Sequence, residues 1–235
     1  GTGEEHKVKM TRHNEDGAEA SLEGAVSQSE RAGVFIKTVS AEDTQRLLEI
    51  YKPYVEETAI TFEYQVPSLE EFQERVRRIQ KRYPYLAAWK DGKIVGYAYA
   101  SPFKERAAYD WAVETSIYVC RTEKGNGIGK KLYGALEEAL AAQHILNLNA
   151  CIAYPEQEDE YLTLDSVRFH EKLGYRMVGE FLQCGYKFER WYHMVWMEKH
   201  IGQHVKNQPP IIPFESVREE LERKEILKGE RRFSL

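Results

Sequence analysis

Three features of the chain have residue types and spacing suited to chemistry. The first is the run Val119-Cys120-Arg121-Thr122-Glu123-Lys124-Gly125-Asn126-Gly127-Ile128-Gly129-Lys130-Lys131-Leu132. A strand-like segment precedes it, and Ile128, Leu132, Leu136 and Leu140 follow at intervals of four, which predicts a helix. Glycines let backbone amides approach a ligand with no Cβ in the way. The first amides of a helix lack internal partners and carry partial positive charge, so glycine loop and helix start together form a phosphate pocket. Lys124, Lys130 and Lys131 add positive charge in a chain whose formal net charge is −5. The spacing is neither GxxxxGK[ST] nor GxGxxG. A loop that needs its glycines only for turns is the plain alternative.

The second feature is Glu114, on the strand-like segment Ala112–Cys120. Val113, Thr115, Ile117 and Val119 share one face, and Glu114 shares the other with Ser116 and Tyr118. Partly covered by a ligand, such a carboxylate has a raised pKa and suits a base; uncovered, it is a solvent-facing strand residue. The third is His170, with Val167 three residues before it and Leu173 three after, which turns it inward. An inward histidine is either a satisfied core residue or a group that gives and takes protons near neutral pH.

These features need a frame. The chain has 235 residues, 42 % hydrophobic and 30 % charged, ordinary for a globular protein. Acidic balance argues against a nucleic-acid partner. No apolar run approaches a membrane span, and no apolar stretch marks a signal peptide at the N-terminus. Cys120, Cys151 and Cys184 form no CxxC pair, so zinc and a disulfide scaffold are not expected; they read as buried small apolar residues, and a reducing cytoplasm follows. Residues 1–33 hold no aromatic residue and read as a flexible N-terminal arm. Residues 34–199 form the single domain. Residues 200–235 read as an extended Pro-containing linker followed by one exposed helix.

Within the domain, Val34–Val39 reads as a strand. Ser40 is placed to cap a helix over Ala41–Tyr51, and Ser68 with Glu71 has capping-box spacing ahead of Phe72, Val76 and Ile79. Asp91-Gly92 between two apolar runs predicts a hairpin. Further strands are expected over Leu148–Tyr154, Tyr175–Cys184 and Trp191–Glu198, the last two joined through Gly185-Tyr186-Lys187. A helix is expected over Tyr161–Leu173, ending at Gly174. The order β α α β β β α β α β β predicts a mixed α/β fold, a mixed central sheet with helices on both faces.

Lys124-x-x-Gly127-x-Gly129 resembles the [QR]xxGx[GA] pyrophosphate loop of the GNAT acyltransferases, with Lys for the usual Arg or Gln. The element order is similar to that fold. Between Val34 and Glu198 the chain further resembles the phosphinothricin/methionine sulfone N-acetyltransferase branch. The shared runs are Ile50-Tyr51, Thr61-Phe62-Glu63, Tyr83-Pro84, Gly96 to Lys104, Arg106 to Trp111, Glu114, His170-Glu171, Gly174-Tyr175, Gly185-Tyr186-Lys187 and Trp191.

The resemblance implies acetyl-CoA as cosubstrate, no metal, and transfer of the acetyl group to the amine of a small amino-acid-like acceptor in a ternary complex. It assigns the coenzyme to Ile117, Tyr118, Val119, Lys124, Gly125, Asn126, Gly127, Ile128, Gly129 and Lys130. Glu114 falls on the family's proposed base, and His170 on a helix position with a proposed catalytic role. For the acceptor it implies Arg106 as a forked cation for an anionic group, with Lys104 and Lys187 as lesser candidates, and Phe62, Phe103, Tyr109 and Trp111 as walls. It also implies a homodimer. The chain departs from the branch in an acidic insertion, Glu156–Glu160, in His193 where Asp is usual, and in its longer C-terminal tail. A protein N-terminus, a polyamine, for which that insertion would supply acids, or a non-catalytic acyl-CoA-binding role are the competing expectations.

Overall fold

The computed structural model describes residues 33–229; the N-terminal arm expected over residues 1–33 lies outside these, apart from Gly33. Seven strands form one sheet: β1 (Phe35–Thr38), β2 (Tyr85–Lys90), β3 (Lys93–Pro102), β4 (Ala112–Val119), β5 (Asn147–Tyr154), β6 (Arg176–Lys187) and β7 (Arg190–His200). Their order is β1-β2-β3-β4-β5-β7-β6, and every pairing is antiparallel except β4 with β5. The helices are α1 (Thr44–Glu57), α2 (Leu69–Gln80), α3 (Ile128–Ala142), α4 (Asp165–Lys172) and α5 (Arg218–Arg223).

Local chemistry explains these boundaries. Ser40 and Asp43 close a capping box over the 3-10 turn Ala41–Asp43, which runs on into α1 and carries it past the expected Tyr51. Ser68 Oγ accepts from Glu71 N at 3.1 Å and starts α2. Asp91 and Gly92 both have positive φ, as a two-residue hairpin turn requires. The β6–β7 turn lies at Phe188-Glu189, not at the expected Gly185–Lys187; both residues take positive φ without being glycine. α4 starts later than expected because Asp159 organises the preceding loop, its Oδ1 accepting from the amides of Tyr161 and Leu162.

The sheet has a core on each face. Against α3 lie Leu86, Ala98, Val113, Leu148 and Met197. Against α1 and α2 lie Tyr85, Tyr97 and Ile94, with Tyr85 and Tyr99 stacked at 4.5 Å. The C-terminal segment is no exposed appendage. Phe214, Val217, Leu221 and Leu227 are buried in the α3-side core. Gln143 Nε2 donates to the carbonyls of Arg82 and Ile212, Trp111 Nε1 donates to Pro209 O, and Lys228 N donates to Ile36 O on the sheet edge. Two of the cysteines also differ from expectation: Cys151 and Cys184 are exposed and Cys120 is half-buried.

Candidate active site

β4 and β5 pair over only three positions, Ala112 with Asn147, Val113 with Leu148 and Glu114 with Asn149. Beyond Glu114 they part. Parallel strands that diverge leave backbone groups and one side of each strand open, and a cleft forms where the sheet splits. At the branch Asn149, nearly buried, donates its Nδ2 to Val113 O at 3.1 Å. Tyr54 hydrogen-bonds Val119 O from the other side of the same strand.

A cavity of about 530 Å³ lies on the outer side of the fork. Its walls include Ile117 and Val119 from β4, Lys124, Gly125 and Gly127 from the loop, Ile128, Gly129 and Lys130 from the start of α3, and Ser166, Arg168 and Phe169 from α4. Gly127 sits at φ 77° and its Cβ position is empty, so glycine is needed there for conformation. Gly129 is needed for space: a Cβ there would lie 2.9 Å from the Phe169 ring. The first amide of this turn with a helical partner is Lys131 N, on Gly127 O at 3.2 Å; those before it are the free amides of a helix start. Lys124 is desolvated here and sits near Arg121, and both effects lower its pKa. Asn126 points away, donating to Glu123 Oε2.

A second cavity, of about 620 Å³, lies between α2 and the tyrosine face of the sheet. Glu114, Ser116 and Tyr118 line it from β4, Tyr99 and Ser101 from β3, and Arg75 and Arg78 from α2. Tyr118, which the resemblance assigns to the coenzyme, lines this cavity and not the one beside the glycine loop. A small hollow at the fork borders both, sharing Ser116 and Tyr118 with one and Ile60, Ile117 and Ser166 with the other. Glu114 is half-buried; burial raises its pKa, and Lys104 offsets part of that. Raised basicity is what a proton acceptor at neutral pH needs.

His170 is turned inward as expected and lines the junction. Ser166 O is only an acceptor, so Nδ1 carries the proton and donates to it at 2.7 Å. Nε2 then accepts from the Tyr133 hydroxyl at 2.9 Å. Burial lowers the ring to about pKa 4. So placed, the imidazole is neutral and has no free lone pair for an amine. Cys151 also lines the junction; crowding by the sheet, together with Glu114, pushes its thiol up to about 12, unsuited to a nucleophile.

The acceptor candidates separate. Pro102 and Glu105 border the Glu114 cavity, while Arg106 lies exposed beyond them on the same loop. Phe103 stacks edge-on against Trp196 and Tyr109, and Tyr109 remains exposed. Phe62 packs its ring on Gly185. Lys187 is buried and donates to Thr61 O, so it is neither a surface charge nor open to an acceptor. His193 accepts from Gln183 N and so ties β7 to β6. The insertion is not a bank of free acids: Arg190 pairs with Asp159 and Glu160, and Glu158 accepts from Leu164 N.

Sequence reasoning missed the network beside Glu114. Arg75 grips Glu63 with two nitrogens, at 2.5 and 3.1 Å, and Tyr51 donates to the same carboxylate at 2.8 Å. Burial pushes Glu63 up, but these hydrogen bonds prevail and its pKa falls. It also missed Asn149, whose only signal was an amide side chain inside an apolar strand.

The family described as "Acetyltransferase (GNAT) domain" matches residues 36–196. The chain is 34 % identical to a phosphinothricin N-acetyltransferase of Streptomyces viridochromogenes over 170 residues, covering 72 % of this chain and 89 % of that one. An L-methionine sulfoximine/L-methionine sulfone acetyltransferase of Salmonella typhimurium is 28 % identical over 125 residues, covering 52 % and 68 %. Among solved structures, a GNAT phosphinothricin acetyltransferase from Sinorhizobium meliloti in complex with AcCoA superposes with a TM-score of 0.68 at 29 % identity, covering 77 % of this chain and 98 % of that one. A forked mixed sheet, a glycine loop opening a helix beside the fork, and a match over most of the chain agree: this protein belongs to the GNAT acetyltransferase family.

Proposed function

We propose that the protein transfers the acetyl group of acetyl-CoA to the amine of a small amino-acid-like acceptor of the phosphinothricin or methionine sulfone/sulfoximine type. One observation carries the reading: a hollow at the fork shares walls with both cavities, with the glycine loop and helix start on one side and the desolvated Glu114 carboxylate on the other. The coenzyme's diphosphate would lie on the amides from Gly127 to Lys130, beside Lys124, and its arm would run along Ile117 and Val119 into the fork. The acceptor enters as an ammonium. Glu114 takes its proton, the freed amine attacks the thioester carbonyl carbon, the C–S bond breaks, and the second proton that the nitrogen must shed passes to the departing thiolate. No covalent enzyme intermediate is needed.

In this reading His170 holds the Tyr133 hydroxyl at the thioester end of the hollow. Arg106, exposed on the loop just past Glu105, meets the anionic end of the acceptor at the mouth of the cavity, while Phe62, Phe103 and Tyr109 do not line that cavity. Two copies of the chain form the working enzyme. Support comes from β6, an edge strand whose Met177, Val178, Phe181 and Leu182 are exposed, continued by Tyr186 and Trp191. Free cysteines among the described residues fit a reducing cytoplasm. Among those residues no helix is long and apolar enough to cross a membrane.

The test is thiol release from acetyl-CoA with amino-acid analogues, peptides and polyamines. Acceleration by the analogues alone supports the reading. Tight coenzyme binding with no acceleration by any amine overturns it.

A further inference from the structure

Lys187 is a buried lysine that the acetyl-transfer scheme does not use. Its side chain leaves the last position of β6 and passes beneath the loop that joins α1 to α2. Only 4 % of the residue is exposed, and burial lowers its pKa to about 8. Its Nζ donates to Thr61 O at 2.9 Å. A lysine is rarely buried without a task for its charge or its donors.

The loop it reaches stands between the two cavities. Ile60 faces the fork and the coenzyme cleft, and Glu63 faces the Glu114 cavity. The two halves of the loop are held by different parts of the molecule. On the coenzyme side, Ala59 N donates to Tyr161 O, and Thr58 Oγ1 bridges Tyr54 O and Ile60 N. On the acceptor side, the ties run to the end of β6: Lys187 to Thr61 O, the Tyr64 hydroxyl to Tyr186 O, and the Phe62 ring onto Gly185, where a Cβ would lie 2.3 Å from the ring. Thr61 Oγ1 and Glu63 then share the Tyr51 hydroxyl.

We propose that Lys187 is a positioning residue for the acceptor: it pins the Thr61–Glu63 half of the loop to β6 and so sets the wall of the Glu114 cavity, leaving the coenzyme cleft to the Thr58–Ile60 half. The proposal rests on the reading of the two cavities as coenzyme and acceptor sites.

The experiment compares Lys187→Met and Lys187→Arg with the unaltered protein. Amide hydrogen exchange is read over residues 58–64, acetyl-CoA affinity by calorimetry, and KM for each substrate by thiol release. In Lys187→Met, exchange across Thr61–Tyr64 is expected to speed up about tenfold while Ala59 and Ile60 stay within twofold. Acceptor KM is expected to rise about tenfold, with acetyl-CoA affinity within twofold, and Lys187→Arg to restore most of both. Uniform acceleration of exchange across the loop, or equal weakening for both substrates, overturns the proposal. If Lys187→Met does not fold, Gly185→Ala, which drives Phe62 off its seat, must give the same acceptor-only loss; loss for both substrates overturns the proposal. Should the unaltered protein acetylate none of the amines, the function reading fails, and the exchange pattern still decides whether Lys187 pins the loop.

Discussion

Asn149 donates its side-chain amide to Val113 O at the last paired rung between β4 and β5. The bond closes the sheet just behind the point where it must open. Asn149→Ala removes a buried donor and its hydrogen bond to Val113 O, at a cost of about 0.5–1.5 kcal/mol. Urea unfolding should show that loss, and calorimetry should show acetyl-CoA binding weakened about fivefold as the fork loses its stop. Stability and affinity both unchanged would count against this account.

Glu114 has its pKa raised by burial, with Lys104 pulling the other way. In the proposed scheme the base works as the carboxylate, so kcat/KM should fall as pH drops through this raised pKa, giving an acidic limb above that of an exposed carboxylate. Removing the nearby charge in Lys104→Met should move the limb to still higher pH. Glu114→Gln should lower kcat roughly 10²–10⁴-fold and leave acetyl-CoA affinity within twofold. A limb that persists in Glu114→Gln would assign it to another group.

His170 makes a separate prediction through stability. Its folded pKa is depressed to about 4 by burial, below the roughly 6.5 of an exposed imidazole. The unfolded chain therefore binds more protons between those values, and folding stability falls as pH falls across that window. The loss from pH 7 to 4 should be about 3 kcal/mol. In His170→Gln that part of the slope should vanish, although the variant starts less stable. The rate profile should show no limb near pH 6.5 belonging to this ring. Chemical denaturation at several pH values, alongside the rate profile, checks both.

Gly127 and Gly129 answer different demands, and alanine should distinguish them. Gly127→Ala meets open space but must hold φ 77°, a strain of roughly 1–2 kcal/mol. Gly129→Ala meets no conformational objection but displaces Phe169 in the wall of the cavity proposed for the coenzyme. Thermal melting should register Gly127→Ala more strongly. Gly129→Ala should raise the acetyl-CoA dissociation constant about tenfold, and equal binding loss in the two variants would contradict the distinction.

Where information is local, the sequence is a good guide. Ser40, Ser68 and Asp91-Gly92 cap and turn as their side chains require, and the loop from Lys124 to Gly129 opens α3 where the four-residue spacing begins. Glu114 and Ser116 share a face by strand alternation alone. What stayed hidden depends on contacts between distant segments. Arg75 looked like one of several helix charges until the fold set it against Glu63. Nothing near Lys187 marks it as buried, because its cover comes from residues more than a hundred positions earlier. The Phe188-Glu189 turn was obscured because neither residue is a usual bearer of positive φ.

The polypeptide after β7 lies past the end of the family match at residue 196, yet it plugs the α3-side core with Phe214, Val217, Leu221 and Leu227. Each such side chain is worth roughly 1.5–3 kcal/mol on burial, and together they approach the roughly 5–15 kcal/mol that separates a whole domain from unfolding. Grafting or trimming at the family boundary would thus leave a catalytic scaffold with an oily wound along its central helix. The smallest transferable piece of this enzyme extends through Leu227.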